Sequence, residues 1–108
     1  MTTQEFELLA KTVVIKVMKE QHNIDINYDD LQFVWFAHEL GYKKCTLYAK
    51  DLGHYYPEVT YNLGKNELYV DIYLKQSNTK FKLDDNGSVI VQEATSNFSG
   101  NNFYSQSR

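Results

Sequence analysis

Leu68, Val70, Ile72 and Leu74 alternate with Glu67, Tyr69, Asp71, Tyr73 and Lys75. A period of two places the sets on opposite faces of one half-buried strand. Just upstream, Val59, Thr60 and Tyr61 favour extended backbone, and Asn62-Leu63-Gly64-Lys65-Asn66 supplies turn residues. Residues 55–75 therefore predict two antiparallel strands around a tight turn. With Asn62 opposite Glu67, Val59 meets Val70 and Thr60 meets Tyr69, so both apolar sets share one face.

The start of the chain has a different period. Phe6, Leu9, Ala10, Val13, Val14 and Val17 recur at three- and four-residue spacings, which predicts an amphipathic helix over residues 3–21. Thr2 and Glu5 have capping-box spacing, and Asn23 is a left-handed stop. Such a helix covers one face of a sheet; Ile15 and Met18, off the main stripe, are what it would offer to a partner. Asp25, Asn27 and Asp29 have the spacing of calcium-loop positions, but Asp30 stands where glycine is needed and Phe36 where the closing glutamate is needed. Residues 31–40 fit a strand through Phe33-Val34-Trp35-Phe36 or a helix capped by Asp29 and Asp30. The Gly41-Tyr42-Lys43 turn and the alternation of Cys45, Leu47 and Ala49 with Lys44, Thr46, Tyr48 and Lys50 favour strand, turn, strand. Pro57 belongs near a strand start or at an edge.

Residues 79–83 and 88–92 flank Asp84-Asp85-Asn86-Gly87 and predict a second hairpin. From Glu93 the chain is rich in Ser, Asn, Gly and Gln and reads as a flexible polar tail over residues 93–108. The expectation is an α+β fold: one N-terminal helix packed on an antiparallel meander of about four to six strands, in a single domain over residues 1–92.

Composition narrows the function. With 108 residues and 43% apolar content, the chain can bury one core. A net charge of −3 disfavours general binding to nucleic acid or anionic membrane. The apolar runs are too short for a membrane-spanning helix, and the acidic start is unlike a secretory signal. Cys45 is the single cysteine, which suits a reducing cytosol, and its alternation places it in the core rather than in a nucleophile dyad. His22, His38 and His54 stand in separate segments without metal-ligand spacing. No nucleotide-binding glycine pattern occurs, and the residues indicate no catalytic group, metal or cofactor.

Two surface groups remain. Glu58 and Asp71 face each other in the register above, either as solvated side chains or as a pair that holds a cation. Tyr48, Tyr56, Tyr69 and Tyr73 all point away from the apolar face. An open, tyrosine-rich sheet suits a protein partner or a second copy of the chain. Stacked aromatics also suit single-stranded nucleic acid, given flanking cations. Here Lys43, Lys44, Lys50 and Lys75 are interleaved with Glu58, Glu67 and Asp71, which ranks protein contact first.

Val34-Trp35-Phe36, then Leu40, Lys44 and Leu47, then Tyr55-Tyr56, Val59-Thr60-Tyr61-Asn62, and Glu67, Tyr69, Asp71, Tyr73 and Lys75 together resemble a family. It comprises short phage and prophage proteins of Gram-positive bacteria that share a domain of unknown function. Pro57 interrupts the tyrosine–glutamate run, and Gly41-Tyr42-Lys43 stands where the family often has an Asn-containing turn. The resemblance implies a phage or prophage gene product in the cytoplasm of a bacterial host, with no reaction assigned. The expected function is thus an accessory protein that binds and modulates another protein. Its partner would be a host enzyme, a phage replication factor or a defence complex such as a CRISPR effector. A single-stranded nucleic-acid-binding module is the alternative; a small metal-dependent enzyme is the third.

Overall fold

Thr2 begins the helix with both halves of the capping box. In the computed structural model, which describes residues 1–98, its Oγ1 accepts from the Glu5 amide at 3.1 Å and its own amide donates to Glu5 Oε1 at 2.6 Å. These bonds hold the Glu5 carboxyl below its ordinary value. The helix, α1 (Thr3–His22), stops at Asn23, whose φ of 54° lets its amide turn back to the last carbonyls.

Phe6, Ala10, Val14 and Met18 recur once per turn and are the buried residues of α1. Met18 is therefore core and Ile15 packs half-buried against that core, in line with a helix that covers a sheet and not with the alternative in which the two are offered to a partner. A line at spacing four advances about 40° per step around the helix, so by its end the buried face has moved away from the Val13–Val17 side and toward Ile15.

A short 3₁₀ turn at Tyr28–Asp30 stands where the calcium-loop spacing fails, with Asn27 Oδ1 accepting from the Asp29 amide. Then come β1 (Gln32–Glu39), β2 (Tyr42–Tyr48), β3 (Tyr55–Asn62) and β4 (Glu67–Leu74), with a second 3₁₀ turn, Lys50–Leu52, before β3. They form a four-stranded sheet in chain order, and β1–β2 and β2–β3 pair antiparallel. Residues 31–40 are thus strand, and the turn is Leu40-Gly41; Tyr42 already pairs with Glu39 and with Asn62. Pro57 is the third residue of β3, near the strand start as the sequence leads one to expect. Its missing donor costs nothing toward β2, because that ladder ends at the Thr46–Glu58 pair.

Helix α1 packs on β2 and β3. The core between them joins Phe6, Val14, Met18, Leu31, Cys45, Leu47, Leu52 and Val59, and half-buried Phe33, Phe36, Leu68, Val70 and Ile72 extend it. Phe6 meets Phe36 edge to face, ring centroids 5.7 Å apart.

Burial pushes the Cys45 thiol up to about 12, helped by the negative charge of Glu7. Native protein should therefore label slowly with a thiol reagent and quickly once denatured. A thiol raised in the folded state gives a contribution that is full below the unfolded value, about 8.5, and is lost as pH rises toward the folded value. Cys45→Ala should flatten the alkaline loss of stability above roughly pH 9. Rapid labelling of native protein would place the thiol at the surface.

The chain divides into two compact units, Met1–Tyr73 and the part from Leu74 on, where the sequence predicts one domain over residues 1–92. The second unit is a hairpin of β5 (Ser77–Leu83) and β6 (Val89–Asn97). Its turn is held by Asp84 Oδ1, which accepts from the amides of Asn86 and Ser88 at 2.9 Å each. The ladder continues to the Ser77–Asn97 pair, so residues 93–97 are strand and not the start of the predicted tail. A polar composition does not prevent a ladder, whose bonds are all backbone. The expected tail beyond this lies mostly outside the described residues.

Candidate functional site

With α1 on one face, the side chains of opposite parity define the other. On β2 and β3 this outer face carries Tyr42, Lys44, Thr46 and Tyr48 beside Asn62, Thr60, Glu58 and Tyr56. On β4 it carries Glu67, Tyr69, Asp71 and Tyr73. Tyr48, Tyr56, Tyr69 and Tyr73 are 45%, 41%, 45% and 42% exposed, on the side where parity places them. Glu58 is partly buried and pairs with Lys44 at 3.6 Å. The Tyr69 hydroxyl donates to Glu67, which raises the phenol above its ordinary value.

The face holds residues that the alternation does not identify. The pairing of β1 slips between Phe33 and Trp35, so Val34 is an extra residue. This bulge sends both Phe33 and Phe36 to the core and turns Trp35, half exposed, to the outer side. Four consecutive apolar residues cannot share one face of a half-buried strand; that is the signal in the sequence, although it does not say which residue bulges. Lys43 also departs from expectation. It is 7% exposed on the core side, its Nζ 3.4 Å from His38 Nδ1, and contributes no charge to the outer face. Among the strand residues of that face, the carboxylates are Glu39, Glu58, Glu67 and Asp71, and the ammonium is Lys44. The surface is aromatic and acidic.

At one end of the face is a hollow of about 440 Å³. Trp35, Ala37 and Glu39 of β1 line it together with Tyr42 and Lys44 of β2 and Thr60 of β3. Asn62 Nδ2 donates to the Tyr42 hydroxyl at 3.4 Å, which fixes one wall. Leu40 also lines it from the hairpin tip. This leucine has φ 50° and is 91% exposed, next to Gly41 at φ 83°. Two positive φ values make the turn a type I′ kind, which asparagine and glycine fill without strain and leucine does not. Leu40 thus sits in strained backbone without burial in return. Leu40→Asn should raise stability by about 1 kcal/mol in urea unfolding; a loss would mean that the leucine packs.

Glu58 and Asp71 share the outer face, each with its own local interactions. Among the described residues, no group of three or more His, Cys, Asp and Glu side chains is placed to hold a metal ion. No helix among them is long and apolar enough to cross a membrane.

Residues 7–83 match the model of a family of unknown function, DUF6275. The chain belongs to that family. The family's span covers the helix from Glu7 on, the four-stranded sheet and β5, so the outer face and its hollow lie within it. No curated protein and no solved structure matches the chain.

Proposed function

We propose that this is a binding protein and not an enzyme, a phage or prophage accessory protein that acts in the bacterial cytoplasm by docking its outer sheet face on another protein. The observation that carries the reading is the open face with half-exposed Trp35, Tyr42, Tyr48, Tyr56, Tyr69 and Tyr73. Aromatic rings offer large, rigid contact area with few rotamers to freeze, which is why interfaces concentrate them. The phage origin and cellular setting rest on the sequence resemblance. A host enzyme, a replication factor or a defence complex remains the class of partner proposed.

Charge selects among occupants. Glu39, Glu58, Glu67 and Asp71 against Lys44 repel phosphate, which disfavours the nucleic-acid alternative. The same acids would meet themselves across a two-fold axis, which disfavours a homodimer through this face. A protein with a basic contact surface fits best. Capture from a bacterial lysate on immobilised chain, with and without nuclease, tests this. The expected result is a protein retained after nuclease treatment by wild type and lost on Tyr69→Ser/Tyr73→Ser bait. Retention that disappears with nuclease would favour the nucleic-acid reading; retention equal on both baits would move the interface off this face.

A further inference from the structure

We infer that the hollow beside the Leu40-Gly41 turn is the anchor site for an arginine side chain of the basic partner, an inference that rests on the protein-binding reading above. The walls are aromatic: Trp35 and Tyr42 are each 50% exposed and both line the cavity. Aromatic faces attract cations, and a guanidinium also stacks flat on them. Glu39 stands at the same hollow, exposed and with no ion pair among the described residues. Lys44, the other charged residue of the lining, pairs with Glu58 at 3.6 Å, which leaves the carboxylate of Glu39 as the charged group of the lining with no ion pair among the described residues. A planar fork of donors is the group that can stack on the rings and bond that carboxylate together. The volume, about 440 Å³, lies within the range of ordinary ligand pockets and leaves room for the stem of the side chain.

Leu40 supports the same assignment. Its strained backbone and 91% exposure contribute nothing to the fold of the free protein. Strain held at such a position is commonly kept for a contact made elsewhere. A leucine at the rim would cover the methylene stem of the bound arginine and exclude water from the stack.

Nuclear magnetic resonance on the full chain tests the site without the partner. The probes are the capped tripeptide acetyl-Gly-Arg-Gly-amide and its citrulline counterpart, which keeps the shape and removes the charge. The expected result is saturable shifts of the Trp35 indole N–H and the Tyr42 and Lys44 amides by the arginine peptide, at low-millimolar concentration, with citrulline at least about fivefold weaker. Glu39→Gln, an exposed change that leaves the sheet intact, should weaken the arginine peptide about threefold or more and leave citrulline unchanged. Equal response to the two peptides, indifference to Glu39→Gln, or no shift up to about 20 mM would overturn the site. Failure here with capture intact removes the hollow alone. Loss of the dependence of capture on Tyr69 and Tyr73 moves the interface off the outer face and so removes the reading on which the hollow rests, whatever the hollow takes.

Discussion

Phe6→Ala should lower the stability of the first unit by about 3–5 kcal/mol. Phe6 is fully buried on α1 and its ring meets Phe36 of β1 edge to face. Truncation removes apolar area from the contact between helix and sheet and leaves a cavity that the rigid sheet cannot fill. A unit of this size holds only about 5–10 kcal/mol of net stability, so the variant should sit near its unfolding midpoint at moderate temperature. Trp35, the only tryptophan, gives a fluorescence signal for urea unfolding. A loss under about 1 kcal/mol would mean that α1 does not pack as described. Leu8→Ala, on the exposed side of the same helix, is the control and should change little.

Tyr69→Ser/Tyr73→Ser should do the reverse: weaken partner binding by at least ~2 kcal/mol, about thirtyfold, while the fold persists. Each ring is a little under half exposed, so its loss opens no cavity. The bond from the Tyr69 hydroxyl to Glu67 leaves behind a carboxylate that water reaches. Val70→Ala/Ile72→Ala, on the opposite side of the same strand, should cost the fold more, roughly 2–5 kcal/mol for the isoleucine if it were fully buried and less for its actual half-burial. If the tyrosine pair unfolds the protein as badly as the Val70 and Ile72 pair, both faces are covered. If it changes neither stability nor binding, the aromatic face has no role as an interface.

Where burial is one-sided and regular, the sequence carries the structure. The alternation through β4 gives the faces of Tyr69 and Tyr73 because parity alone decides them. The helix, its Thr2–Glu5 cap and its Asn23 stop are legible for the same reason: each is a local rule with one outcome. Trp35 is not legible, because a bulge at Val34 changes parity in the middle of an apolar run and only the pairing with β2 fixes its place. The hollow follows from that bulge and is hidden with it. Lys43 misleads in another way: its position in the alternation with Cys45 and Leu47 assigns it to the core side, but its charge suggests a surface residue. Residues 93–97 mislead through composition, which reports on core formation and not on backbone pairing.

The most direct measurement is hydroxyl-radical footprinting of the chain alone and bound to its captured partner. If the outer sheet face is the working surface, oxidation of Tyr48, Tyr56, Tyr69, Tyr73 and Trp35 falls on binding, while exposed Leu8 on α1 and exposed Phe81 and Ile90 on the hairpin react as before. Protection of Leu8, or of Phe81 and Ile90, with the tyrosines unchanged would contradict it and place the interface on the helix or the second hairpin.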